Sequence, residues 1–189
     1  MKKGFIVIFV ILLAAGGVLW YEKYQSLKIL PAQEPVVNPT PMKITSPAFE
    51  PNQNIPVKYT CDGDNVNPPL DFKDVPPQAV SLALIVDDPD AQAGTWTHWT
   101  VWNIDPSTAS IAENSVPPKA MQGQTSYGQN IYGGPCPPAG AHRYLFKLYA
   151  LDAKLSLSSF SLKADLEKAM ENHILAQAEL VGLYSRSGK

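Results

Sequence analysis

Residues 80–104 read VSLALIVDDPDAQAGTWTHWTVWNI, and this sequence sets the class of fold. Residues 80–87 are mostly β-branched or aliphatic without a helical period, and they stop at the turn-forming sequence DDPD. Residues 96–104 are rich in Trp, Thr and Val, which favour a strand over a helix. We therefore predict two strands joined by a short loop, the first of them buried on both faces.

The second of these strands has side chains that alternate between two faces. This alternation predicts one face formed by Trp96, His98, Thr100 and Trp102 and another formed by Thr97, Trp99 and Val101. Residues 143–151, RYLFKLYAL, alternate in the same way and predict a third long strand. Its apolar face would carry Tyr144, Phe146 and Leu148.

Shorter elements complete the domain. Strands are predicted at 43–46, 56–60 and 120–126, and a helix is predicted at 162–172, where apolar residues recur at helical spacing. Residues 174–186 could continue the helix, but their alternation favours a closing strand. The sequence therefore predicts a mainly β, β-rich α+β domain.

Length and charge restrict the possible partners. The 189 residues suffice for one ordinary domain with a short appendage. The formal net charge is −2, and no basic stripe follows the first few residues. Nucleic acid is therefore not an expected partner.

The first twenty residues differ from the rest. Residues 4–20 form an uninterrupted run of apolar or small residues after two lysines, which predicts a membrane anchor with the N-terminus inside and the domain outside the cytoplasm. A cleaved signal peptide, which would release a secreted domain, is the alternative. Residues 21–42 are rich in proline and predict an extended linker, so the folded domain would occupy residues 43–189.

Three segments hold most of the reactive side chains: Asp87–Asp90, the strand with His98, and residues 133–144, GGPCPPAGAHRY. If they converge, the backbone N–H groups of Gly133 and Gly134 could point inward and bind an anion, beside His98 and His142. Trp96, Tyr132 and Tyr144 would form the wall of that pocket. Taken separately, the DPD sequence is more typical of a turn, and His98 of a half-buried histidine among tryptophans.

The two cysteines allow two interpretations. An even pair in a domain outside the cytoplasm favours a disulfide between Cys61 and Cys136. The rival interpretation is a nucleophilic Cys136 thiol activated by His142, six residues later.

The sequences VDDPDAQAGTWTHWTVWNI and YGGPCPPAGAHRYLFKLYAL resemble the phosphatidylethanolamine-binding protein family, in its prokaryotic Raf-kinase-inhibitor-like branch. The resemblance covers about residues 43–186. It implies a large central antiparallel sheet packed on a smaller sheet, a C-terminal helix near the pocket, and a small cavity for phosphate, acetate or a phosphorylethanolamine-type head group. The pocket residues that it implies are Asp88, Asp90, His98, Gly134, Pro135, Pro137, Pro138, His142 and Tyr144.

We therefore expect a binding module for a small anion or a phospholipid head group, rather than an enzyme, with no cofactor. An enzyme that uses His98, His142 and Asp88 as a metal site, or Cys136 as a nucleophile, is the alternative. A third possibility is regulation of a protein partner in the manner of a kinase inhibitor.

Overall fold

The long strands form where the sequence predicts them in the computed structural model, which describes residues 41–186. Four strands carry the architecture: β4 (Ser81–Asp88), β5 (Trp96–Ile104), β8 (Ala141–Leu151) and β9 (Ile174–Ser185). The others are short: β1 (Lys43–Thr45), β2 (Gln53–Asn54), β3 (Leu70–Lys73), β6 (Ser110–Ile111) and β7 (Met121–Gln122). The helix α1 spans Lys163–Met170. The predicted closing strand is β9, so the helix does not continue.

These strands form two sheets. The larger sheet has the order β2-β9-β8-β4-β5-β7, and the smaller has the order β1-β3-β6. All pairings are antiparallel except that of β2 with β9, which is parallel. The β-rich fold with a large sheet, a smaller sheet and a C-terminal helix is thus confirmed.

The larger sheet buries apolar side chains on both faces, as the continuous burial of β4 requires. One face packs with the small sheet through a core that includes Leu84, Val86, Trp99, Tyr144, Phe146, Ile44, Leu70 and Phe72. On the other face, Ala83, Ile85, Trp102 and Leu151 pack with Leu166 and Met170 of α1. Full burial of one large apolar side chain stabilises a fold by roughly 1.5–3 kcal/mol. Met42 also belongs to the first core, one residue before the predicted start of the domain.

A β-bulge at His98 breaks the predicted alternation of β5. Val86 pairs with Trp99, and the next residue of β4, Asp87, pairs with Thr97, so His98 has no residue opposite it. The extra residue turns His98 and Trp99 toward the same side of the sheet. The ring of His98 contacts Tyr144 there, with centroids 5.1 Å apart. The prediction that His98 shares a face with Trp102 is therefore wrong.

Two short predicted strands also differ. Residues 57–59 form a 3₁₀-helix, because Pro56 bends the chain and its carbonyl accepts the N–H of Tyr59. The strand predicted at 120–126 is restricted to β7. After β7 the regular pairing ends: the N–H of Gln124 donates to the carbonyl of Ser161, although the N–H of Ser126 still donates to the carbonyl of Thr97 in β5.

The structure does not support the prediction of a single-pass membrane anchor. Within residues 41–186, no helix is long and apolar enough to cross a bilayer, and α1 has only 8 residues. Residues 4–20, on which the prediction rested, and most of the linker 21–42 lie outside the described residues.

Candidate functional site

A cavity of about 330 Å³ lies at the end of the larger sheet where β4 ends and β5 and β8 begin. Antiparallel pairing brings these three strand ends together, since Asp88 pairs with Trp96 in β5, and β8 pairs along the other side of β4. The residues that line the cavity are Asp88, Ala91, Gln92, Ala93, Trp96, His98, Tyr127, Cys136, Pro138 and His142. The three segments singled out in the sequence therefore converge.

His98 lies deep in this site, with only 2% of its surface exposed. Its Nδ1 lies 2.6 Å from the carbonyl oxygen of Gly133. Its Nε2 is buried and has no hydrogen-bond partner among residues 41–186. Burial lowers the pKa of His98, against the opposing effects of the Gly133 carbonyl and of Asp88 and Asp87. The buried ring is thus held as the neutral form more strongly than a histidine in water.

Asp88 and His142 form a buried pair in the wall of the cavity. Nδ1 of His142 lies 2.7 Å from Oδ2 of Asp88, and the two side chains are 10% and 5% exposed. The second carboxylate oxygen, Oδ1, accepts the backbone N–H of Asp90 at 2.8 Å. Asp88 therefore orients the ring of His142 and also stabilises the DPD turn. The DPD sequence thus forms a turn, as its residues predict, and also contributes a side chain to the site.

Asp90 does not line the cavity. Its carboxylate accepts three hydrogen bonds from Arg143: the backbone N–H at 2.9 Å, Nε at 2.9 Å and Nη2 at 2.7 Å. These bonds lower the pKa of Asp90 to about 2. The Asp90–Arg143 pair joins the DPD turn to the start of β8. Asp90 therefore helps to position the turn and does not contact a ligand in the cavity.

The predicted anion-binding N–H groups of Gly133 and Gly134 are used within the protein. Gly133 N–H donates to the carbonyl of His98 at 2.9 Å, and Gly134 N–H donates to Oδ1 of Asn65 at 2.7 Å. Both glycines line a neighbouring cavity of about 240 Å³, which shares Tyr127 and Cys136 with the first. The prediction that these two amides point into the ligand pocket is therefore wrong, because the loop itself needs their hydrogen bonds.

The glycine-proline loop is fastened to the chain around Cys61. Cys61 and Cys136 form a disulfide, and the Cys61 N–H donates to the carbonyl of Pro135 at 3.1 Å. Pro138 lines the cavity, whereas Pro135 and Pro137 are buried outside its lining. A sulfur atom in a disulfide is not a thiolate, so Cys136 in this state has no nucleophile to offer.

Tyr144 supports the site from behind the lining residues. It is fully buried, its ring contacts that of His98, and its hydroxyl has no hydrogen-bond partner in the described part of the chain. Burial raises the pKa of this hydroxyl, with Asp88 adding to the effect. Tyr144 is therefore a neutral donor beside His98.

Sequence reasoning missed Tyr127 and Asn65. Tyr127 lies between the two cavities, with its ring 5.4 Å from that of Trp96 and 5.7 Å from that of His98. Asn65 has a positive φ of 57° and holds Gly134 from another loop. Neither carries a local signal: TSYGQN and DGDN are ordinary loop sequences, and only tertiary packing brings them to the site.

Comparisons with known proteins agree with this fold. The family model for phosphatidylethanolamine-binding proteins matches residues 45–185. A UPF0098 protein of Methanothermobacter thermautotrophicus is 47% identical over 150 residues, which are 77% of this chain and 99% of that protein.

Two crystal structures resemble the fold. A phosphatidylethanolamine-binding protein homologue of Chlamydia trachomatis has a TM-score of 0.75 and 44% identity, covering 78% of this chain and 99% of that one. YbcL of E. coli, described as a member of the mammalian PEBP family, has a TM-score of 0.74 and 29% identity, covering 78% of this chain and 100% of that one.

Proposed function

Because the chain belongs to the phosphatidylethanolamine-binding protein family, we propose that its domain is a binding module that holds a small phosphate-bearing or carboxylate group in the cavity beside His98. The observation that carries this proposal is the buried Nε2 of His98, which has no partner among the described residues. A buried polar atom without a hydrogen bond costs roughly 1–3 kcal/mol, so a ligand that satisfies this atom recovers part of that cost.

The size and lining of the cavity suit a compact ligand. A volume of about 330 Å³ is at the lower end of the range for small-molecule pockets, which is of the order of 300–1,000 Å³. Trp96, Tyr127 and the alanines at 91 and 93 supply apolar surface, and Asp88, His98 and His142 supply polar atoms. Such a cavity holds a phosphate or carboxylate group with a short substituent, as in phosphorylethanolamine.

The contacts of the polar residues favour binding over catalysis. Oδ2 of Asp88 is engaged by His142, so this carboxylate is not free to share a metal ion with both histidines. No group of three or more metal-ligating side chains occurs in residues 41–186. The proposed function needs no bond to be made or broken.

Calorimetric titration of the full-length protein at about pH 5.5, where both ligands carry an O–H group, with inorganic phosphate and with phosphorylethanolamine tests the proposal. We expect binding that is lost in His98→Asn, in which the amide keeps a donor toward Gly133 but has no atom in the place of Nε2. His173→Asn is the matched control, because His173 is exposed and pairs with Asp152 on the surface. Equal affinities in the two variants, or no heat with either ligand, would overturn the proposal.

A further inference from the structure

The tautomer of His98 is set by the loop that closes the cavity. A carbonyl oxygen can only accept a hydrogen bond, so the contact of 2.6 Å with Gly133 requires a proton on Nδ1. The Gly133 N–H in turn donates to the His98 carbonyl, which holds the two residues in a reciprocal pair. In the neutral ring, Nε2 therefore carries a lone pair and no proton.

A lone pair at Nε2 places a condition on any anion that binds there. An unprotonated oxygen of the anion is also an acceptor, and two acceptors do not form a hydrogen bond. The complex must therefore contain one proton between Nε2 and the ligand oxygen. That proton either arrives on the ligand as an O–H group or is taken from water to form an imidazolium.

The surroundings of His98 disfavour the imidazolium before a ligand is present. The titratable groups that face the ring are Asp88 from β4, Tyr144 and His142 from β8, and Tyr127 from the loop after β7. Asp87, whose carboxylate bonds Lys147 and Lys163, acts on the ring through its charge. Burial lowers the pKa of His98 and outweighs the carboxylates, which raise it. Above its lowered pKa, the empty site is short of the proton that the complex needs.

We infer that the cavity binds its anion together with a proton held between Nε2 of His98 and a ligand oxygen, and that it selects oxyanions that carry an acidic O–H group. This inference rests on the proposed function and specifies its ligand class. Hydrogen phosphate carries an O–H group throughout the neutral range, and phosphate monoesters carry one below about pH 6. Sulfate has none in that range.

The test compares sulfate with inorganic phosphate in titrations of the full-length protein between about pH 5.5 and 8. Sulfate can be held at Nε2 only when His98 is protonated, so its association constant at this position should fall about tenfold for each pH unit above the pKa of that group. The association constant of phosphate should change much less, because phosphate supplies the proton itself.

His98→Gln separates this mechanism from general charge effects. The longer amide side chain can place an N–H donor where Nε2 lies, and an amide donates at every pH. Sulfate binding to this variant should therefore lose its pH dependence. His98→Asn, which has no group at that position, should bind neither anion.

The outcomes distinguish the inference from the function on which it rests. If neither anion binds at any pH, the proposed function itself fails. If both bind with the same pH slope, or if sulfate keeps its slope in His98→Gln, the anion pocket stands but His98 does not supply the coupling, and the inference is overturned. If sulfate keeps its pH dependence in His98→Gln, the titrating group is not His98, and His142 is the other histidine that lines the cavity.

Discussion

Lowering the pH should destabilise the fold through His98, and the size of the effect follows from its burial. Histidine in an unfolded chain takes up a proton at about pH 6.5, whereas burial lowers the pKa of His98 in the folded state. Below pH 6.5 the unfolded state therefore binds more protons than the folded state, and the free energy of unfolding falls as the pH falls. The slope approaches about 1.4 kcal/mol per pH unit until the folded pKa is reached, and this group has no effect well above pH 6.5.

Urea denaturation of the wild type and of His98→Asn between about pH 5 and 8 measures this contribution. The variant keeps the other two histidines and a donor toward Gly133, so the difference between the two curves isolates the titration of His98. We expect the difference to be constant above neutrality and to change in favour of the variant as the pH falls. If the free energies of unfolding of the two proteins change in parallel over the whole pH range, burial does not lower the pKa of His98. If the wild type gains stability relative to the variant as the pH falls, that pKa is raised in the folded state.

Three further predictions concern the loop and the turn that frame the cavity. Replacing both Cys61 and Cys136 with Ser should lower the free energy of unfolding by about 4 kcal/mol, because the disulfide closes a separation of 75 residues; an unchanged urea midpoint would contradict this. Gly134→Ala should destabilise by roughly 1–3 kcal/mol, since a Cβ would lie 2.6 Å from the carbonyl oxygen of Tyr59; a thermal melt like that of the wild type would contradict it. The pKa of Asp90 is lowered to about 2, so its ion pair stabilises above about pH 4 and this contribution is lost as the pH falls toward 2. Asp90→Asn should remove that part of the acid transition, as followed by circular dichroism.

The long strands were predicted well because each shows its alternating or β-branched pattern within one run of consecutive residues. β5 was predicted at its observed bounds, and β9 was preferred over a helix on alternation alone. The bulge at His98 could not be predicted in this way, because it is a mismatch between β4 and β5 and not a property of either sequence. The 3₁₀-helix at 57–59 was missed for a similar reason, since its turn depends on Pro56 and not on the apolar pattern.

The sequence predicted which residues form the candidate site better than it predicted their hydrogen-bond partners. Asp88, His98 and His142 lie at strand ends that the sequence marked, and antiparallel pairing is enough to bring them together. The partners of the loop amides were not predictable, because Asn65 reaches Gly134 from 69 residues away. The prediction for the amides failed because both N–H groups already donate within the protein, that of Gly133 to the backbone carbonyl of His98 and that of Gly134 to the side chain of Asn65.

The ring nitrogens of His98 report directly on whether a small anion binds at Nε2 while Nδ1 stays bonded to the carbonyl of Gly133. Nitrogen NMR of the full-length protein, labelled in histidine, would follow both nitrogens of each of the three rings as phosphate is added. We expect a protonated Nδ1 in His98 at all phosphate concentrations, and a saturable shift of its Nε2 resonance from the unprotonated range. The exposed His173 serves as the internal reference and should not change. A His98 ring that is protonated on Nε2 without ligand, or that does not respond when phosphate binds, would show that the anion does not bind at this nitrogen.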